Sequence, residues 1–254
     1  MPAYGHQGWF GIGSPQSNPT VEPELSILMP RQTALYGARL TSAETDPLAR
    51  LKAYLVNLET TLETYDNMAL SAFAFGCTGS SYLLGREAEL SITESASARF
   101  SYPVITAADA IVWGLERIGA KRIAIIAPYP EALIDAGQVY FEGRGLEVVR
   151  AERVVTRSTD TRTIYEISPD EAKRLLESAP TDVDAILISG TGMPGLAAMA
   201  AYAERPVLSS NLCLAGKLLA ATGQTSLLDG AAPAGWQSRL AEAVAIPVNK
   251  DQNP

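Results

Sequence analysis

The chain has 254 residues, of which 47% are apolar and 19% charged, and carries a formal net charge of −8. That composition marks a globular protein with room for a sizeable core, in one large domain or two modest ones, and the lack of a Lys/Arg block excludes nucleic acid and anionic membrane as partners. Two cysteines and one histidine, His6, exclude a disulfide framework, a His/Cys zinc site and a hydrolase triad built in the usual way.

Taken in chain order, the apolar run at 8–13 predicts a strand. Residues 46–65 predict a helix, with Leu48, Leu51, Leu55, Leu58 and Leu62 on one face and Asp46-Pro47 as its cap and first-turn proline. Further strands are predicted at 69–76, 103–105, 122–127, 147–155, 185–189 and 206–208. A helix begins near Ser80, another covers 107–118 and stops at Gly119, and Pro169-Asp170 opens one over 170–178. Alternating strands and helices predict an α/β fold with mainly parallel sheets flanked by helices. The start "MPAYGHQGWF" has no signal-peptide pattern and no stretch reaches the roughly 18 apolar residues of a membrane span, so a reduced cytoplasm is the expected setting.

The sequence also repeats itself. "GIGSPQ" (11–16) matches "AIIAPY" (124–129), and "AFAFGCTG" (72–79) matches "AILISGTG" (185–192), both at a spacing of 113 positions. "PVITAADAIVWGL" (103–115) matches "PVLSSNLCLAGKL" (206–218). The chain therefore reads as two pseudo-symmetric α/β halves, residues 1–105 plus 212–254 and residues 106–211, with the active site in the cleft between them. Strand C-terminal ends, where open α/β sheets bind ligands, would then face one another.

Those ends carry the candidate chemistry. Cys77 follows a strand and precedes a helix, where free N–H groups lower a thiol pKa and favour the thiolate; the other reading of a lone cysteine there is a small buried hydrophobe. Thr78, Gly79, Ser80 and Ser81 follow it. Ser14, Ser17 and Asn18, then Tyr129, then Gly190, Thr191 and Gly192, then Ser209, Ser210 and Asn211 mark four other strand ends. Each group alone is an ordinary turn or cap; together they form a neutral cradle of donors for carboxylate oxygens. Cys213, among leucines, reads as core, and Glu22, Glu24 and Glu131 as first-turn helix residues. Gly190, Gly192 and Gly195 spell G-x-G-x-x-G, but the next strand ends in Ser209-Ser210-Asn211 and lacks the acidic residue a dinucleotide fingerprint needs.

The segments "GIGSPQSNPTVEPEL" (11–25), "FGCTGSS" (75–81), "IAIIAPY" (123–129), "ISGTGMP" (188–194) and "RPVLSSN" (205–211) resemble the aspartate/glutamate racemase superfamily, in its maleate cis–trans isomerase and arylmalonate decarboxylase branch. The resemblance implies two α/β halves with the active site between them, and no metal or organic cofactor. It makes Cys77 the first of the two cysteines that many members carry. Asn18 and Tyr129 match substrate-binding positions of the isomerases, and Thr78 and Ser81 match hydroxyls near the carboxylate pocket of the decarboxylases. The second cysteine falls on Gly190, beside Thr191. Decarboxylases of this type have one cysteine in the second half and glycine in the first, the reverse of this chain. Where the family has an asparagine after the middle strand of the second half, this chain offers Thr161, Arg162 and Thr163.

One cysteine can protonate one face of a planar carbanion but cannot run a two-base racemisation. The sequence thus predicts a cofactor-independent enzyme acting on a small carboxylic acid through an enolate-like intermediate. The first expectation is a one-cysteine decarboxylase with Cys77 as proton donor and Thr78, Ser81 and Tyr129 holding the charge. The alternative is a maleate-type or racemase-like isomerase with Cys77 as nucleophile and Tyr129 or water as the acid. A third is a carboxylate-binding protein without turnover. A homo-oligomer is compatible with each.

Overall fold

The computed structural model describes residues 3–155, 161–224, 227–228 and 235–245. In chain order it has β1 (Trp9–Pro15), α1 (Val21–Leu28), β2 (Ala34–Leu40), α2 (Pro47–Val56), α3 (Leu58–Leu62), β3 (Ala72–Phe75), α4 (Thr78–Leu84), α5 (Arg86–Phe100), β4 (Val104–Thr106) and α6 (Ala107–Arg117). There follow β5 (Arg122–Ala127), α7 (Glu131–Glu142), β6 (Glu147–Arg153), α8 (Pro169–Ser178), β7 (Ala185–Ile188), α9 (Leu196–Ala200), β8 (Val207–Ser209), α10 (Ser210–Ala221) and α11 (Trp236–Ala245). Two four-stranded sheets, ordered β2-β1-β3-β4 and β6-β5-β7-β8, are parallel throughout.

The repeat read from sequence is a register identity. Phe10 pairs with Ala72 and Ile12 with Ala74; 113 positions on, Ile123 pairs with Ala185 and Ile125 with Leu187. The segment from β4 into α6 has its counterpart in β8 and α10. Thr106 caps the first helix by accepting the Asp109 N–H, and Ser209 caps the second by accepting the Leu212 N–H, each at 3.1 Å. These two helices pack against each other so closely that a Cβ on Gly114 would lie 2.8 Å from Cys213 Sγ. Cys213 is fully buried there, and burial pushes its thiol pKa up.

Alternation across β3 separates the core into two layers. Phe73 and Phe75 pack with Leu55, Leu58 and Leu62 on the outer face, while Ala72 and Ala74 face α1, α6 and α10. Of the leucine ladder, Leu55, Leu58 and Leu62 are therefore core and Leu51 packs against it half-buried. The helix predicted over 46–65 is not continuous: Asn57, with φ −96° and ψ 22°, leaves the helical range, ends α2, and α3 starts anew. Asp46 does cap α2, accepting the Ala49 N–H at 2.7 Å. The end of α6 at Gly119 takes the left-handed glycine form, φ 72°, with Gly119 N–H donating to Glu116 and Ala120 N–H to Leu115.

Of the predicted strands only 122–127 keeps its bounds; 8–13, 103–105, 185–189 and 206–208 shift by one or two residues, and the largest losses are 69–76 becoming Ala72–Phe75 and 147–155 becoming Glu147–Arg153. The backbone at Leu70 turns, its N–H donating to Met68. β2 is not among the predicted strands; it is an edge strand with only Leu40 fully buried, so it lacks the apolar run that marked the others.

Candidate active site

Both sheets direct their strand C-termini toward the seam between the halves. The 113-residue register places Cys77 and Gly190 at equivalent points, one past each middle strand. Cys77 is the N-cap of α4, which starts at Thr78 and not near Ser80, and it is 4% exposed. Ser80 Oγ lies 2.6 Å from the Leu51 carbonyl oxygen and 3.2 Å from Cys77 Sγ. Its one hydrogen serves one of them at a time, so stabilising a thiolate means leaving Leu51. The expected depression of the thiol pKa does not hold: burial raises it, and the bonds from Ser80 and Gly79 only offset part of that rise. The resting group is the neutral thiol.

Gly190 has φ +123°, and a Cβ there would lie 3.2 Å from both Pro128 Cδ and the Tyr129 hydroxyl. The place of a second cysteine side chain is thus filled by Tyr129. That hydroxyl is 2.6 Å from Thr78 Oγ1, joining the second half to the first turn of α4. Burial first, then its neighbours Tyr82 and Cys77, push the Tyr129 pKa up.

The remaining predicted residues divide into two groups. Ser14 and Ser81 are fully buried, and neither Oγ has a hydrogen-bond partner among the described residues. Buried hydroxyls left over in this way are available to a ligand. Asn18, Thr191 and Asn211 are instead committed to one another's segments. Asn18 Nδ2 donates to Thr191 Oγ1 at 3.2 Å, and Thr191 Oγ1 donates to the Gly76 carbonyl at 2.7 Å. Asn211 Nδ2 donates to Glu24 Oε2 at 2.7 Å and to the Thr191 carbonyl at 3.0 Å. A Cβ on Gly192 would lie 2.8 Å from the Tyr165 ring, and one on Gly79 would press on Leu51 and Leu133 at 3.0 and 3.2 Å. These bonds, with Thr20 Oγ1 donating to the Gly192 carbonyl at 2.9 Å and Tyr82 OH 2.9 Å from Ser189 Oγ, close the seam.

Glu24 does more than begin a helix. Its Oε1 accepts the N–H groups of Gly195 and Leu196 at 2.9 and 3.4 Å. A carboxylate already occupies the helix start where a dinucleotide phosphate would sit, which removes the fingerprint reading of Gly190, Gly192 and Gly195. Sequence reasoning also passed over Tyr54, whose hydroxyl is 3.3 Å from Gln16 Oε1, together with Tyr82 and Tyr165. Only adjacency in the fold marks them; isolated tyrosines carry no spacing signal. The side chains of Thr161 and Arg162 lie outside the described residues; Thr163 lies in the 3-10 turn Thr161–Glu166. Among the described residues no cluster of His, Cys, Asp or Glu is arranged to hold a metal ion, and no helix is long and apolar enough to cross a membrane.

Comparison with known proteins places this geometry. The family model for arylmalonate decarboxylase matches residues 20–233. The maleate isomerase of Geobacillus stearothermophilus is 26% identical over 231 residues, 83% of this chain and 90% of that protein. The maleate isomerase of Alcaligenes faecalis is 25% identical over 215 residues, 77% and 83% of the two chains. Among solved structures, a Pseudomonas putida maleate isomerase variant with maleate superposes with a TM-score of 0.78 at 24% identity, covering 88% of this chain and 98% of that one. A cysteine-to-serine variant of the Nocardia farcinica maleate cis-trans isomerase, carrying a covalently bound succinylcysteine intermediate, gives 0.75 at 21% identity, over 85% and 93%. Arylmalonate decarboxylase gives 0.72 at 17% identity, over 90% and 96%. The structural likenesses establish the fold; the family match, over most of the chain, establishes descent. The chain belongs to the arylmalonate decarboxylase family, in the aspartate/glutamate racemase superfamily, and is a cofactor-independent isomerase or lyase.

Proposed function

We propose that the protein is a cis–trans isomerase of the maleate type, with Cys77 as nucleophile and Tyr129 as acid and base. One observation carries the reading: Gly190 stands at the position equivalent to Cys77 in the repeat, and the Tyr129 hydroxyl, bonded to Thr78 beside Cys77, occupies that glycine's side-chain space. The thiol gives up its proton to solvent, and the sulfur adds to one alkene carbon of a small cis-unsaturated dicarboxylate. The π electrons move to the neighbouring carbon and its carboxylate, and Tyr129 delivers a proton to that carbon. Rotation about the new single bond brings the other hydrogen of that carbon to Tyr129, which removes it, and the carbon–sulfur bond breaks as the trans alkene leaves. The succinylcysteine adduct of the Nocardia relative supports sulfur as nucleophile in this fold.

Ser14 and Ser81, buried with free hydroxyls, are the first candidates to hold the carboxylates, with Thr78, Ser80 and the backbone N–H of Gly79, whereas the Gly190 N–H is already donated to Ser210 Oγ at 2.9 Å. Asn18, Thr191 and Gly192 would line the opposite side after the seam opens. Asn211 has its amide nitrogen bonded to Glu24 and the Thr191 carbonyl, which leaves its buried amide oxygen without a partner among the described residues. The reading is tested by incubating the protein and its Cys77→Ala variant with maleate and following fumarate. Fumarate from the wild type alone supports it; no fumarate, or equal amounts from both, rejects it.

A second reading rests on the neutral resting thiol. A protonated Cys77 suits a decarboxylase, in which carbon dioxide leaves a malonate-type acid and the sulfur protonates one face of the enolate. Carbon dioxide release from an arylmalonate, with deuterium from heavy water entering one face only, would favour it.

A further inference from the structure

Glu24 takes no part in the chemistry above, yet it is one of the most constrained groups in the protein. It lies on α1, 6% exposed, and its carboxylate crosses the seam. Oε1 accepts from the backbone of Gly195 and Leu196, and Oε2 from Asn211. The same Asn211 amide nitrogen spends its other hydrogen on the Thr191 carbonyl, and Thr191 Oγ1 donates to the Gly76 carbonyl, next to Cys77. Among the described residues no Lys or Arg pairs with Glu24. A buried carboxylate without a cation is costly, so its donors must hold it in place. Both of its oxygens act as acceptors. Glutamine offers one acceptor and would turn an N–H₂ group toward either the Asn211 amide or the Gly195 N–H.

We infer that Glu24 is a positioning residue whose carboxylate pins the segment 190–196 against the first half, so that Gly190 and Thr191 stand opposite Cys77. The inference rests on the reading that substrate reacts at Cys77. Thr20 gives an independent handle, because its hydroxyl holds the same segment through the Gly192 carbonyl and makes no capping bond to α1.

The test compares wild type, Glu24→Gln and Thr20→Val by maleate kinetics and by iodoacetamide labelling, read peptide by peptide. Cys213, buried between α6 and α10, reports global opening, and Cys77 reports the seam. Glu24→Gln is expected to lower kcat roughly 10- to 100-fold with a smaller change in KM, as a misplacement of about 1 Å does. It is also expected to raise Cys77 labelling on the order of tenfold, the factor for one lost charge-assisted bond, with Cys213 labelling unchanged. Thr20→Val should move both readouts the same way by less. Unchanged Cys77 labelling in Glu24→Gln overturns the inference, whatever kcat does, and so does a parallel rise at Cys77 and Cys213. If Glu24→Gln does not fold, the same two criteria apply to Thr20→Val. If Cys77→Ala keeps turnover, the reading of the site fails, while the ratio of Cys77 to Cys213 labelling still decides the role of Glu24.

Discussion

Replacing Tyr129 by phenylalanine removes one oxygen and leaves the ring packed against Gly190. The lost atom is 2.6 Å from Thr78 Oγ1, a fully buried hydroxyl. Stranding such a group costs about 1–3 kcal/mol. At about 2–4 °C per kcal/mol for a chain of this size, the melting temperature should fall by several degrees. The loss of the acid is much larger: general acid catalysis contributes about 100- to 10,000-fold, and fumarate production should drop by that factor. Differential scanning fluorimetry measures the first effect and absorbance of the product the second. Intact-protein mass spectrometry separates the roles, because an adduct of Cys77 with maleate that solvent protonates in the variant lacks the base that removes the proton again, and so persists. Turnover equal to wild type, in a variant that folds, would refute the assignment of Tyr129.

The raised thiol pKa of Cys77 gives the two readings opposite pH profiles: an isomerase needing thiolate gains kcat/KM as pH rises toward and beyond the ordinary thiol value of about 8.5, whereas a lyase needing the thiol is flat and then declines. The same shift has a stability sign: Cys77 holds its proton more tightly folded than unfolded, so its contribution is complete below the unfolded pKa and is lost as pH rises through the folded one, a slope that Cys77→Ala removes from alkaline denaturation curves. Restoring a second cysteine by Gly190→Cys should lower activity, since the left-handed backbone strain of about 1–3 kcal/mol and the 3.2 Å contact with Tyr129 displace the acid; a faster enzyme would contradict this. Asp109 is paired with Lys217 and with Arg144 at 3.0 Å, and although burial raises its pKa these partners outweigh it and hold the carboxyl below the ordinary range. Its stabilisation is present above the unfolded pKa and disappears as pH falls through the folded one, so Asp109→Asn should melt lower at neutral pH and lose that part of the acid sensitivity in pH-dependent melts.

Most of the fold was legible because local physics writes it locally. The cap at Asp46, the glycine stop at Gly119 and the strands with continuous apolar runs came from patterns a few residues long. The repeat was legible too, since two halves bearing the same register must bury the same positions. The edge strand β2 and the break at Asn57 were not, because half-exposed strands and interrupted helices carry mixed patterns. Within the site, Cys77, Thr78, Ser81 and Tyr129 were candidates from strand-end position and resemblance, while Tyr165 has no local pattern to mark it and the reach of Glu24 across the seam joins segments more than 100 residues apart.

The sequence by itself determined the parallel α/β architecture, its duplication at a spacing of 113 residues and the placing of one cysteine past the first middle strand. The tertiary structure alone decided the state of that cysteine and what opposes it. A helix start lowers a thiol pKa, but burial at the closed seam outweighs it. A glycine in the repeat reads as an empty place, but packing from a different strand fills it with a phenol. Both outcomes turn on which groups exclude water from one another, and that is a property of the folded chain.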